Sequence, residues 1–309
     1  MIFFRRNRCK VVYRSEYISA IHAQNAHQSF DVMRFKKVKD QLFKERLIRR
    51  KDILTPPRLS DKDLELVHTR EYLASLKDPI TVGQILNLDY VNPWDEYIFE
   101  YFRYVSGGTL QAVKYALENQ ITVFNLGGGY HHAHPDRGEG FCLINDVAIA
   151  VRKMQLADKL NKTLIIDLDY HQGNGNLLYF KSDEKTFTFS MHADKWDEIP
   201  TKAHNIDIEL PAGIKDKEYL NILEKELPPV LTTFSPDLVI FIAGSDPFIK
   251  DTLGDFELSE QGMLKRDIFV YRQAKKHQIP LTVLAGGGYG PESWKVYFNY
   301  IKWVIKKGK

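Results

Sequence analysis

Cysteine is nearly absent: Cys9 and Cys142 are the only two in 309 residues. Two thiols cannot build a disulfide framework, and they are too few to close a structural zinc site of the cysteine-rich kind. Such a count suits a reducing compartment. An excess of one charge is missing too. Lys+Arg is 43 and Asp+Glu is 40, a formal net charge of +3. That excludes nucleic acid as a ligand held by bulk electrostatics, which requires a basic stripe or a far larger excess. No run approaches the ~20 apolar residues that span a bilayer. The opening MIFFRRNRCK lacks the apolar core of a signal peptide. The expectation is a cytoplasmic protein with no membrane contact. No repeat, low-complexity tract or Pro/Gly/Ser-rich linker divides the chain, so residues 1–309 are expected to form one domain.

Hydrophobic residues at 44% and charged residues at 27% are ordinary for a globular protein and exclude disorder as the dominant state. The first part reads as helical. A short strand at 11–13 precedes an amphipathic stretch at 31–51. A helix capped by Ser60 is expected over 60–77, then a loop containing Gly83 and Pro93, then a helix ending near Asn119. Beyond that, β-branched apolar runs at 121–126, 163–168, 186–190, 238–243 and 280–285 alternate with helical patterns at 146–160, 216–234, 259–277 and 292–307. Runs apolar throughout, alternating with helices, predict a parallel sheet covered on both faces. Sites in such sheets gather beyond the carboxyl ends of the strands.

The polar and glycine-rich residues fall at those ends. GGGYHHAH follows the strand at 121–126 and carries His131 and His132. DLDYHQGNG carries Asp167, Asp169, His171 and Asn174. Ser190, Met191 and His192 follow TFTF, GSDP carries Asp246, and GGGYG carries Tyr289. Asp169 and His171, two apart at a strand end, point to one side. With Asp246 they make one imidazole and two carboxylates, the plan of a catalytic zinc site with an open fourth position. Such a site acidifies water and polarises a carbonyl. His131 and His132 offer a base, and each needs a partner on its second nitrogen. Asp167 and Asn174 are available for that. An aspartate raises its partner's basicity, whereas a neutral asparagine leaves its partner nearer the reference value. Tyr289 can donate to a developing oxyanion. Together these parts suit metal-assisted amide hydrolysis.

A lone buried Asp or His is more often hydrogen-bonded structure than a ligand, and only the combination points to chemistry. GGGYG loosely fits G-x-G-x-x-G, but no βαβ unit follows it, so a dinucleotide site is not expected. His22, His27, His68, His204 and His277 are read as structural or surface residues. Trp196 and Phe141 are read as packing residues, and His134 and His192 lie near the site without an assigned part.

The segments GGGYHHAHPDRGEGFCLIND, LIIDLDYHQGNGN, AGSDPFIKDTLG and LAGGGYG closely resemble the zinc-dependent histone deacetylase family, which includes acetylpolyamine amidohydrolases and acetoin-utilisation proteins. The resemblance runs from about Val12 to Pro291. DTLGDFELSEQGMLKRD, and Asn174 where class I enzymes carry aspartate, look most like class IV deacetylases and their bacterial relatives. The resemblance implies an arginase/deacetylase-like three-layer α/β/α fold with a mainly parallel sheet, forming a single catalytic domain. It implies Zn2+ on Asp169, His171 and Asp246, His132 as general base, and His131 as its electrostatic partner. Asp167 would hold His131, Asn174 would hold His132, and Tyr289 would stabilise the tetrahedral intermediate. A structural K+ is implied on the backbone carbonyls of Asp167, Asp169, His171 and Met191, the Asp167 carboxylate and the Ser190 hydroxyl. Gly140 and Phe141 match the wall of the acyl-lysine tunnel, and Cys142 matches a cysteine beside the site with no nucleophilic part. Arg34 corresponds to a basic residue at the pocket floor. Asp89 and Asp95 are both candidates for gripping the substrate backbone, and 192–204 should form one rim.

The implied reaction removes acetyl or longer acyl groups from lysine side chains of proteins or peptides, or from other acylated amines. Three rivals stand beside it. An acetylpolyamine or small-amide deacetylase would narrow its entrance with a large insertion, and none is evident. A silent acyl-lysine-binding scaffold has no need to keep ligands, base pair and tyrosine together. A binuclear manganese ureohydrolase needs further Asp/His ligands where Gln172 and Asn174 stand. The +3 charge gives no long-range attraction to basic histone tails.

Overall fold

The structure is a computed structural model that describes residues 9–18, 31, 33–88, 96–193, 195–198 and 204–308. Among the described residues, eight strands form one sheet: β1 (Cys9–Val12), β2 (Ile53–Leu54), β3 (Thr122–Asn125), β4 (Thr163–Asp167), β5 (Thr186–His192), β6 (Asn205–Glu209), β7 (Leu238–Ile242) and β8 (Leu281–Leu284). Their order is β2-β1-β3-β8-β7-β4-β5-β6, and every pairing is parallel. Strands β3, β4, β5, β7 and β8 are buried along their whole length. That is why their sequences are apolar throughout rather than alternating. The helices are α1 (Arg34–Lys44), α2 (Asp61–Leu64), α3 (Arg70–Ser75), α4 (Pro79–Leu86), α5 (Glu96–Asn119), α6 (Asp146–Leu156), α7 (Asn174–Phe180), α8 (Asp216–Phe234), α9 (Glu260–Lys276) and α10 (Ser293–Lys307). Helix α1 packs on α10, α10 on α9 and α9 on α8, while α5, α6 and α7 pack in a second group. The result is the expected three-layer α/β/α arrangement. No helix among the described residues is long and apolar enough to cross a membrane.

Three expectations need correction. The helix over 60–77 is two helices, because Thr69 starts a new one by accepting the Tyr72 N–H on its hydroxyl. The loop placed around Gly83 is helix α4, which begins at Pro79 under an Asp78 cap. Pro at the first helical turn costs no hydrogen bond. Among the described residues, the amphipathic stretch at 31–51 is α-helical over α1 and reaches a 3-10 turn at Arg50, with Arg46 at a positive φ of 54° between them. Pro93, Asp89, Asp95, His22 and His27 lie outside the described residues.

The loop between β3 and α6 carries much of the site, and His68 ties it down. His68 Nδ1 donates to the His134 carbonyl at 2.9 Å, and Nε2 accepts the Asn145 backbone N–H at 2.9 Å. The ring is 3% exposed, and burial pushes its pKa down to about 4. On acidification the unfolded chain, with an imidazole near ~6.5, takes up this proton first. The His68 contribution is therefore intact above about pH 6.5 and is lost as pH falls toward 4, roughly 3 kcal/mol in all. Denaturant melts across this window should show that loss, and His68→Gln should flatten the slope. An unchanged slope in the variant refutes the assignment.

Candidate metal centre and active site

Because all strands run the same way, their carboxyl ends share one edge of the sheet. The five strands that carry the expected site residues, β3, β8, β7, β4 and β5, are contiguous in the sheet. Asp169 and His171 follow β4, Asp246 follows β7, Tyr289 follows β8, and the His131–His132 pair follows β3. Ser190 and Met191 lie within β5, which runs two residues past its expected end.

The structure brings Asp169, His171 and Asp246 together, with ligand atoms all within 4.8 Å of one another. His171 Nδ1 lies 3.2 Å from Asp169 Oδ1 and 3.2 Å from Asp246 Oδ2. Burial and the neighbouring Asp169 charge push the Asp246 carboxyl up to about 7. Burial opposes charge on His171, but hydrogen bonds to Asp169 and Asp246 outweigh it and raise the ring to about 10. Two buried carboxylates facing one imidazole nitrogen call for a cation between them, and this donor set fits Zn2+. The remaining lone pairs are held by backbone. Tyr170 N–H donates to Asp246 Oδ1 at 3.0 Å, and Gly287 N–H donates to Asp169 Oδ2 at 2.7 Å. A Cβ at Gly287 would stand 2.2 Å from Asp246 Oδ2, so only glycine lets this backbone supply its N–H there. Arg266, fully buried against Asp267, donates to the carbonyls of Leu168 and Gly244 at 2.9 and 2.8 Å. It thereby pins the two strand ends that carry the carboxylates.

His131 and His132 pack with ring centroids 4.1 Å apart. His131 Nδ1 donates to Asp167 Oδ2 at 2.8 Å. Burial would lower its pKa, but the Asp167 and Asp169 charges prevail and raise it to about 9. His132 Nδ1 donates to Asn174 Oδ1 at 2.8 Å. Burial and the charge on His131 hold this ring well below 6.5. The asparagine therefore does not leave His132 near its reference value. Adjacent imidazoles driven apart in this way separate a cationic role from a neutral, proton-accepting one.

Both histidines, Tyr289, Gly140, Phe141, Cys142 and Arg34 line one cavity of about 110 Å³. The Phe141 ring centroid is 5.8 Å from that of Tyr289, which lies 6.2 Å from that of His171. Burial and the Asp246 and Asp169 charges hold the Tyr289 phenol protonated, well above its ordinary range. Asp251 Oδ2 accepts the Tyr289 and Gly290 N–H groups at 2.6 and 3.1 Å. Arg34 is buried and donates to the carbonyls of Gly286 and Gly288, bracing the glycine turn from the cavity side. Cys142 is buried with its thiol pushed well up, in keeping with no nucleophilic part. Ser190 Oγ is buried without a hydrogen-bond partner among the described residues.

Residues 28–304 match the histone deacetylase domain model. The chain belongs to the histone deacetylase family. Histone deacetylase 2 of Arabidopsis thaliana is 32% identical over 311 residues, covering 98% of this chain and 80% of that protein. The acetoin utilization protein AcuC of Staphylococcus aureus is 26% identical over 308 residues, covering 90% of this chain and 78% of its own. A solved HDAC homolog in complex with SAHA superposes with a TM-score of 0.80 at 27% identity, covering 96% of this chain and 84% of that one. Membership of this deacetylase family supports amide hydrolysis as the reaction class, and the fold is the arginase/deacetylase-like one.

Several residues of this histone deacetylase family site carry no signal in the sequence. Trp196 does not simply pack: its ring stacks on His132 at 3.9 Å and 9°, and meets His171 edge-on at 5.9 Å. Gln172 Oε1 anchors that segment by accepting the Trp196 and Asp197 N–H groups at 2.8 and 2.9 Å. Gln172 Nε2 donates to Asp207 Oδ2 at 2.7 Å, and His192 Nε2 meets Asp207 Oδ1 at 3.0 Å. His192 is thus a structural post for this strut. His134 Nε2 meets Glu139 Oε1 at 2.8 Å. No periodicity marks any of these, and an unassigned histidine beside a motif is the one hint the chain offers.

Proposed function

We propose that this chain is a zinc-dependent amidohydrolase that removes acetyl or longer acyl groups from lysine side chains, most like the class IV deacetylases. The observation that carries this reading is the buried Asp169–His171–Asp246 cluster lying beside a histidine pair held at Nδ1 by Asp167 and Asn174. Zn2+ held by these three residues would polarise the amide carbonyl and acidify a water. His132, neutral and tied at Nδ1, accepts the proton of the attacking water at Nε2, and later returns it to the leaving amine. His131, kept cationic by Asp167 and Asp169, balances the charge that develops. Tyr289 donates its phenolic proton in a hydrogen bond to the carbonyl oxygen. Gly140 and Phe141, with Trp196 across His132, would flank the lysine stem. The likeness to a homolog solved with SAHA supports an acyl-lysine-like ligand here. The same cavity is also lined by Leu86, Tyr101 and Phe102, apolar surface that supports acyl chains longer than acetyl. K+ is assigned to the Asp167 carboxylate and Ser190 hydroxyl with the carbonyls of Asp167, Asp169, His171 and Met191. The orphaned, buried Ser190 Oγ supports it.

The test is turnover of the purified, zinc-loaded protein on acyl-lysine peptides of increasing chain length and on acetylated polyamines. Hydrolysis of the peptides, with longer chains preferred over acetyl, is the expected result. Turnover confined to polyamines overturns the substrate assignment, and no turnover with stoichiometric zinc favours a binding scaffold.

A further inference from the structure

The Asn174 amide has a different partner at each end. Its Oδ1 accepts from His132 Nδ1. Its Nδ2 lies 2.6 Å from Glu139 Oε1 and 2.9 Å from Asp197 Oδ2. A hydrogen bond from His134 holds Glu139 below the ordinary carboxylate range. Carboxylate oxygens only accept, so an amide between them must turn its NH2 toward both. Its oxygen is then left for His132, and an acceptor at that place demands N–H on Nδ1. The neutral ring carries its lone pair on Nε2 in consequence.

We infer that Glu139 and Asp197 are positioning residues that fix the tautomer of His132 by orienting the Asn174 amide. The inference rests on the proposed role of His132 as proton acceptor. It also accounts for the asparagine. An aspartate at 174 would bring a third carboxylate against two others with no donor to offer either. Asn174 and the acidic pair therefore work as one unit, built partly from the α7 start and partly from the Gln172-anchored segment. Glu139, Asp197 and His134 also have ligand atoms within 4.8 Å of one another. That cluster is not a cation site, because the Arg137 guanidinium already lies 3.1 Å from His134 Nε2 and 3.5 Å from Asp197 Oδ2.

Three variants test this in the zinc-loaded protein: Glu139→Gln with Asp197→Asn, Asn174→Asp alone, and Asn174→Asp added to that pair. The first readout is the tautomer of His132, from ring 15N shifts of histidine-labelled protein. Wild type should hold the Nδ1–H form alone, and the Gln/Asn double variant should show a mixture. The second readout is kinetic. The double variant should lose roughly 10- to 100-fold in kcat, with KM and zinc content unchanged. Asn174→Asp should lose at least as much, and adding the two amides, which can donate to the new carboxylate, should recover most of it. A wild-type tautomer in the double variant, or no recovery in the triple variant, overturns the inference. If the double variant does not fold, the tautomer in Glu139→Gln alone decides the same question. A shifted tautomer with unchanged kcat leaves the positioning intact and removes His132 from its proposed role, so the two failures are distinguishable.

Discussion

Tyr289→Phe should keep its zinc and lose roughly 10^2- to 10^3-fold in kcat, the cost of one missing oxyanion donor. The change is confined to one hydroxyl. The turn that carries residue 289 is held through its backbone, by Asp251 below and by Arg34 at Gly286 and Gly288. A phenylalanine ring keeps the contacts with Phe141 and His171. KM should therefore change little, since the donor is needed mainly once charge builds on the carbonyl oxygen. Zinc content and single-substrate kinetics on one acyl-lysine peptide decide the matter, and unchanged turnover would sink the assignment of Tyr289.

Asp246→Ala should lose metal and activity together, by ~10^3-fold or more, since a metal's contribution is several kcal/mol of barrier. A plain folding defect would give the same loss, and the structure separates the two. In the metal-free protein, burial and the Asp169 charge hold the Asp246 carboxyl up at about 7. Removing it relieves that repulsion, while Arg266 still pins the carbonyls of Leu168 and Gly244. The deletion also leaves the Tyr170 N–H and His171 Nδ1 without that acceptor, so the metal-free variant should stay folded but melt somewhat lower than metal-free wild type. Added zinc should raise the melting temperature of wild type and leave the variant unmoved, as linkage requires for a ligand bound by only one of them. A variant that still binds zinc stoichiometrically would show that Asp246 is not a ligand.

What the sequence makes legible follows from which physics is local. Strands such as Leu238–Ile242 are buried on both faces, so every residue is apolar and the run stands out. Strand β2 has only two residues, and the edge strand β6 is half-buried with Asp207 and Glu209 inside it. Neither leaves a run to read. The break between α2 and α3 is written in Thr69, a cap inside a longer helical pattern. At the site, parallel topology does the long-range work. Once the strands are known to run one way, Asp169, His171, Asp246, His132 and Tyr289 must meet. Glu139, Trp196 and Asp197 are different, because they reach the site through irregular segments: Gln172 holds the one with Trp196 and Asp197, and His68 ties down the loop with Glu139. Nothing in their own neighbourhoods announces that contact.

The order β2-β1-β3-β8-β7-β4-β5-β6 has a consequence for biosynthesis. Strand β8, the last in sequence, is not at an edge but is the seam between β3 and β7. Until residues 281–284 are made, the sheet exists at best as two halves. The histidine pair hangs on one half, and the carboxylates and His171 hang on the other. Tyr289 rides just beyond the seam strand itself. Such late, long-range closure is slow to nucleate and leaves strand edges open while the chain emerges. A nascent chain arrested before β8 is therefore inert and sticky rather than partly competent, and the reaction centre forms only when the seam closes.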